Sequence, residues 1–267
     1  MSRPTLLFFT DLDGTLLDHD SYDWTPAKPA LAELERHRLP LILNSSKTAA
    51  EIRDLRSELA NEHPYIVENG AAAIIPAGYF DAGQDEDEVI HFAQPRARVL
   101  ESLARLREQG FRFTGFDDMS VEEVAQHADL SRDQAAKAKD RAATEPVVWN
   151  GGALDVASFR QALEQEGLRL VKGGRFHHVM GDFDKAEAMK ALIKRYRARY
   201  PDSKLVSVAL GDSPNDRRML EAADIAVVIR GPEPLTLSEG LSVMYSDQRG
   251  PSGWNECVLT ILAGKGY

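Results

Sequence analysis

The chain has one cysteine in 267 residues. Cys257 has no intramolecular disulfide partner, and its place in the apolar run Cys257, Val258, Leu259, Ile261, Leu262 marks it as a core residue. Long hydrophobic runs are missing too. The stretch from Leu6 to Phe9 is too short for a signal peptide and is stopped by Asp11. No segment approaches the roughly 18 apolar residues of a membrane span, so a cytoplasmic enzyme is expected. Positive charge is in deficit: 32 Lys and Arg face 42 Asp and Glu, a net charge of -10 with His neutral. That balance argues against a nucleic-acid backbone or an anionic membrane as partner. A small anionic substrate stays open, provided that local cations or a metal overcome the average repulsion.

What is present is the material of a folded enzyme. With 43% hydrophobic residues, 19 Gly and 13 Pro, the chain is neither disordered nor collagenous. Short apolar runs at Thr5 to Thr10, Leu39 to Asn44, Tyr65 to Val67, Leu205 to Leu210 and Ile225 to Ile229 read as strands of a sheet covered on both faces. Between them, Lys28 to His37, Thr48 to Leu59, Lys185 to Tyr200 and Asp216 to Ala222 have helical period.

The middle of the chain reads differently. The acidic run Asp85 to Glu88 marks a surface loop, followed by a helix from Pro95 to Gln109 and a strand from Phe111 to Phe116. Ser120 with Glu123 and Ser131 with Gln134 form two capping boxes, each opening a short helix. A strand near Pro146 to Trp149, a helix from Val156 to Glu166 and strands at Leu168 to Lys172 and Arg175 to Met180 complete an α+β insertion. The expected architecture is a doubly wound, parallel-sheet (Rossmann-like) α/β core at 1–82 and 182–267, interrupted by a cap at 83–181.

The strongest local signal is the run Phe9-Thr10-Asp11-Leu12-Asp13-Gly14-Thr15-Leu16, a hydrophobic strand leading into two carboxylates. Open parallel sheets bind ligands beyond the carboxyl ends of their strands, so Asp11 and Asp13 belong at that crevice. Gly14 permits a sharp turn behind them. A second strand, Leu205 to Leu210, runs into Gly211-Asp212-Ser213-Pro214-Asn215-Asp216. Converging acids repel one another, and a hard divalent ion with oxygen ligands is the ordinary remedy. Asp11, Asp13, Asp212 and Asp216 are therefore the candidate metal site, with Mg²⁺ as the best-fitting ion because it leaves positions for phosphate oxygens.

Two further elements point to phosphoryl transfer. The strand Leu41 to Asn44 ends in Ser45, Ser46 and Lys47 at a helix start, where free amides favour an anion. Either serine offers the hydroxyl; Ser45, directly after Asn44, is preferred. Lys185 opens a helix, an unfavourable end for a cation unless it faces carboxylates or a phosphate.

With these residues in hand, the sequence resembles the haloacid dehalogenase superfamily of aspartate-nucleophile phosphohydrolases. Its four motifs occur in order as Asp11-Leu12-Asp13-Gly14-Thr15, Ser45, Lys185 and Gly211 to Asp216, and the insertion is similar to the large cap of the Cof-type branch. Within that branch the chain resembles the mannosyl-3-phosphoglycerate phosphatase family. The runs carrying this are Asn44 to Thr48, Glu68-Asn69-Gly70-Ala71, Phe116 to Ser120, Thr144-Glu145-Pro146, Gly174 to His178 and Gly250 to Trp254.

The resemblance implies that Asp11 attacks phosphorus and that Asp13 serves as general acid and then base, with Lys185 beside the phosphate. It also implies Mg²⁺ held by Asp11, the Asp13 backbone carbonyl and Asp212, while Asn215 and Asp216 orient Lys185 or the metal's water. Two like charges at about 4 Å repel by roughly 4 kcal/mol at an effective dielectric of about 20, the scale that such a cation must cancel. The implied partner is a small phosphorylated sugar acid, and Arg141, Glu145, Arg175, His177 and His178 are the candidates to contact it. Strand alternation puts only one of the two histidines on a given face. Other readings are a phosphatase of glucosyl-3-phosphoglycerate or sucrose phosphate, a hexose phosphomutase, or a phospho-acceptor signalling domain. The second acid, Asp13, and the large insertion argue against the last.

Overall fold

The computed structural model describes residues 4–173 and 176–267. The first part of the chain forms β1 (Thr5–Thr10), α1 (Lys28–Arg36), β2 (Leu41–Asn44), α2 (Ala49–Glu58), β3 (Tyr65–Val67), β4 (Ala72–Ile75) and β5 (Glu88–His91). Next come α3 (Arg96–Glu108), β6 (Phe113–Gly115), α4 (Val121–Ala128), α5 (Arg132–Lys139), β7 (Glu145–Trp149), α6 (Ala153–Gln165), β8 (Arg169–Lys172) and β9 (His177–Met180). The chain closes with α7 (Lys185–Arg199), β10 (Leu205–Gly211), α8 (Arg217–Ala222), β11 (Ile225–Val228), β12 (Val243–Tyr245) and α9 (Gly250–Gly264).

Eight strands form one sheet in the order β12-β11-β10-β1-β2-β3-β4-β5. The six from β12 to β3 are parallel, as the continuous apolar runs predict. Side-chain alternation along β1 splits the core in two. Leu6 and Phe8 pack with Trp254, Cys257 and Val258 of α9, while Leu7 and Phe9 pack with Met189 and Leu192 of α7 and Met219 of α8. Cys257 is buried, as its apolar neighbours predict.

The far edge departs from the parallel expectation. β4 and β5 are antiparallel additions, because the turn between β3 and β4 is too short for the crossover that a parallel strand needs. Strand β5 begins at Glu88, so the large sheet continues past residue 83, where the sequence places the start of the insertion. A second, antiparallel sheet in the order β6-β7-β9-β8 packs with α3 and α6 around Phe113, Val147, Phe159 and Val179. Both capping boxes form, at Ser120 with Glu123 and Ser131 with Gln134. Among the described residues no helix is long and apolar enough to cross a membrane.

Candidate active site

β1 lies between β10 and β2, where the strand order reverses, and this places the crevice. Thr10 pairs with Leu210, and the Asp11 amide donates to the Leu210 carbonyl at 2.9 Å. Asp11 and Asp212 therefore leave adjacent strand ends side by side. Just beyond, Gly14 turns at φ +83°, and a Cβ there would stand 2.6 Å from Asp212 Oδ2. A glycine is what lets this turn close against the second carboxylate.

Asp11, Asp212 and Asp216 offer oxygens within 4.8 Å of one another. Burial, reinforced by Asp216, holds the Asp11 carboxyl well above the usual carboxylate range, although Lys185 pulls the other way. Asp212 is pushed up to about 7 by the same two causes, burial first and then Asp216. The three acids are thus short of positive charge. Lys185, buried at 1% exposure, is the main compensation, donating to Asp11 Oδ1 at 2.5 Å and to Asp216 Oδ1 at 2.7 Å. Those carboxylates outweigh desolvation and keep its ammonium charged.

The four expected metal ligands are not equivalent. Asp216 has both oxygens committed: Oδ1 to Lys185 and Oδ2 to the amides of Asp212 and Ser213 at 3.2 and 3.1 Å. Asp212 accepts from Thr15 Oγ1 at 2.9 Å through Oδ1, and its Oδ2 has no donor among the described residues. The Asp13 carboxylate stands apart from the cluster. The strand ends at Thr10 and the chain turns, so Asp13 faces Lys47 Nζ at 3.0 Å while Asp11 faces Lys185. An all-oxygen set with an uncommitted carboxylate oxygen and excess negative charge fits a hard divalent cation.

On the next strand end, Ser45 is buried and its Oγ accepts from the Lys47 amide at 3.3 Å. Neither serine caps α2. Thr48 does, in a capping box with Glu51, so Ser45 and Ser46 belong to the loop before the helix. The amides of Leu12, Asp13 and Ser46 have no acceptor among the described residues. Open amides of this kind suit an anion.

Two cavities meet here. One, of about 140 Å³, is lined by Asp11, Asp13, Asp212 and Asn215. The other, of about 80 Å³, lies against the four-stranded unit and is lined by Lys47, Arg141, His178, Tyr22, Phe116 and Phe176. They share Asp13, His19 and Ser46.

Of the candidates in the insertion, Arg141 and His178 line the second cavity. Burial pushes the His178 imidazole down to about 3, so it is neutral, and its Nδ1 has no hydrogen-bond partner among the described residues. His177, on the opposite face of β9, lines neither cavity. Glu145 is fully buried and committed elsewhere, accepting from Arg96 Nε at 2.8 Å and the Asp117 amide at 2.7 Å. It does not reach the crevice because its side chain turns under β6, where a Cβ on Gly115 would meet it at 2.4 Å. Arg175 lies outside the described residues. Asn215 donates to Asn69 Oδ1 at 3.1 Å and its own Oδ1 accepts from Ser213 Oγ, whereas Lys185 donates to Asp11 and Asp216. Lys47 and His19 are wall residues that the sequence does not single out. For Lys47 the signal was its position directly after the two serines.

Comparison with known proteins agrees with this geometry. Residues 8–149 match the model of the haloacid dehalogenase-like hydrolases. The chain is 37% identical to the glucosyl-3-phosphoglycerate/mannosyl-3-phosphoglycerate phosphatase of Methanococcoides burtonii, over 96% of this chain and 97% of that one. It is 35% identical to the protein of the same name from Persephonella marina, with the same coverage. Among solved structures, a Thermoplasma acidophilum protein superposes with a TM-score of 0.68 at 19% identity, covering 99% of each chain. The sucrose-phosphatase of Synechocystis superposes at 0.64 with 13% identity, covering 98% of each, and both likenesses speak to fold alone. With its family model matched over more than half its length and two relatives above 30% identity, the chain belongs to the haloacid dehalogenase-like hydrolases, as a phosphoric monoester hydrolase.

Proposed function

We propose that this phosphatase hydrolyses the phosphomonoester of a hexosyl-3-phosphoglycerate, mannosyl-3-phosphoglycerate first and its glucosyl counterpart second, in a Mg²⁺-dependent reaction. The observation that carries the reading is the meeting of the two cavities at Asp13: one holds the carboxylates and open amides for a phosphate, the other cations and a neutral histidine for what lies beyond it. The names of the two long relatives support the choice of substrate. The four-stranded unit then acts as a cap over the crevice of the eight-stranded core.

Asp11 attacks phosphorus, and the bond from phosphorus to the glycerate oxygen breaks. Asp13, at the junction, gives that oxygen its proton. It next takes a proton from water, whose oxygen attacks the aspartyl-phosphate, releasing inorganic phosphate and restoring Asp11. Lys185, the Ser45 hydroxyl and the amides of Leu12, Asp13 and Ser46 hold the phosphate oxygens. Asp11 and Asp212 would hold Mg²⁺, which when bound cancels charge between nucleophile and phosphate. Asp216 serves by fixing Lys185. Beyond the phosphate, Lys47 faces the glycerate carboxylate and His178 Nδ1 a sugar hydroxyl.

The test is phosphate release from mannosyl- and glucosyl-3-phosphoglycerate, sucrose phosphate and hexose phosphates, each with Mg²⁺ and with a chelator. The two phosphoglycerates should lead by at least about tenfold in kcat/KM. Release from a hexose phosphate but from neither phosphoglycerate sinks the substrate assignment. Full activity in chelator sinks the metal.

A further inference from the structure

The loop Ser45 to Lys47 is held by three consecutive carbonyls. Ser45 O accepts from the Asn69 amide at 2.8 Å and Lys47 O from the Glu68 amide at 2.9 Å. The middle one, Ser46 O, accepts from Arg141 Nη2 at 2.7 Å. Two holds come from the core and the third from the insertion, 95 residues away in sequence.

Glu68 joins the two sides. It is buried at 2% exposure, and at φ +48° it occupies the left-handed region that a non-glycine residue adopts at a cost. That backbone lets its amide face Lys47 O while its carboxylate points into the insertion. There Oε1 accepts from the Ala142 amide at 2.7 Å, and Oε2 from the Thr144 amide and Thr144 Oγ1, both at 2.8 Å. The Ala143 amide adds a bond at 3.2 Å. Arg141 Nε lies 3.6 Å from the same carboxylate, and its guanidinium is also pinned to Thr144 Oγ1 at 3.0 Å. Burial opposes this charge, but Arg141 and the amides outweigh it and hold Glu68 below its ordinary range.

We propose that Glu68 and Arg141 are a coupled pair of positioning residues, through which docking of the insertion completes the phosphate-binding loop. Glu68 fixes the 141–144 segment, that segment aims Arg141, and Arg141 sets the Ser46–Lys47 peptide, whose Lys47 amide donates to Ser45 Oγ at 3.3 Å and so orients the hydroxyl assigned to the phosphate. Arg141 acts on the phosphate through this peptide. The insertion thereby contributes to affinity for the phosphate itself as well as for the sugar acid. This rests on the crevice being the phosphate site.

The experiment is calorimetric binding of inorganic phosphate to the Mg²⁺-loaded full chain, alongside thermal unfolding, for wild type, Glu68→Gln, Arg141→Ala and the double variant. Each single change should weaken phosphate binding about tenfold, and the double variant should be no weaker than the worse single, since both act along one chain of contacts. Arg141→Lys, able to reach Ser46 O, should recover part of the loss. A merely structural role lowers the number of binding-competent molecules and the melting temperature but leaves the dissociation constant unchanged; that result overturns the proposal, as does a double variant whose losses multiply. Should Glu68→Gln fail to fold, Thr144→Val and Arg141→Ala carry the same test, and unchanged affinity in both overturns it. If wild type itself binds no phosphate, the crevice assignment fails instead.

Discussion

Lys47 and Asp13 face each other across the junction of the two cavities, Nζ 3.0 Å from Oδ1. The same ammonium lies 4.8 Å above the Tyr22 ring and 3.9 Å from Glu51 Oε1. Burial works against its charge, but Asp13 and Glu51 more than compensate and hold it above the ordinary lysine range. A permanent cation therefore stands beside the acid assigned to leaving-group chemistry. Lys47→Met should lower kcat/KM for the best substrate by about 10- to 100-fold, and steady-state kinetics with unchanged values would remove Lys47 from the site.

Asp11→Asn takes away the nucleophile while keeping the shape and a partner for Lys185. Turnover should fall by at least about a thousandfold. Circular dichroism and the melting temperature should stay close to wild type, because the substitution also relieves repulsion toward Asp212 and Asp216. Wild-type-like turnover would refute the assignment.

Gly14→Ala tests the close approach to Asp212. The new methyl would meet Oδ2 at 2.6 Å in a backbone that L residues rarely adopt. The carboxylate must shift, and the Mg²⁺ concentration for half-maximal activity should rise by about tenfold or more, since few protein ligands share the ion. An unaltered Mg²⁺ titration would show that Asp212 Oδ2 is not a ligand.

Away from the crevice, His63 is pushed down to about 4 by burial and by Arg56, and its Nδ1 contacts Tyr79 Oη at 2.7 Å. An unfolded histidine titrates near pH 6.5, so between about 6.5 and 4 the unfolded chain binds the extra proton. The contribution is fully present above pH 6.5 and is lost as pH falls toward 4, up to on the order of 3 kcal/mol. Denaturant unfolding of wild type and His63→Gln across this window should show the smaller pH slope in the variant. Parallel slopes would mean that His63 titrates normally.

The strand ends that carry Asp11, Ser45 and Asp212 are legible because a buried parallel strand is a run of apolar residues that stops abruptly at polar ones. Lys185 is legible for a related reason, a cation at the wrong end of a helix. Strand β5 is hidden: half of its side chains are exposed, and it opens on the last residue of an acidic run. Helix α9 is not among the elements expected from the sequence; it begins with Gly250 and Pro251 and has Gly253 in its first turn, where Pro needs no amide partner. The partners of Glu145 are hidden in sequence, since Arg96 lies 49 residues earlier and the Asp117 amide 28 residues earlier. Glu68 stands in a run that carries the family resemblance, but its role is not legible there, since the amides its carboxylate accepts from are 74 to 76 residues away.

The pairing of Thr5 with Leu205 also sets an order of events during synthesis. One edge of β1 can meet β2 early, but the edge that will face β10 must wait for nearly the whole chain. At about 5–20 residues per second that wait is roughly 10 to 40 s. During most of it β1, apolar from Leu6 to Phe9, has an open side, and the acids at its tip have neither Lys185 nor Asp212 beside them. The nascent chain thus passes through a long stage in which the core is present as a half-sheet without chemistry, and the last third of the chain converts it into an enzyme at one stroke.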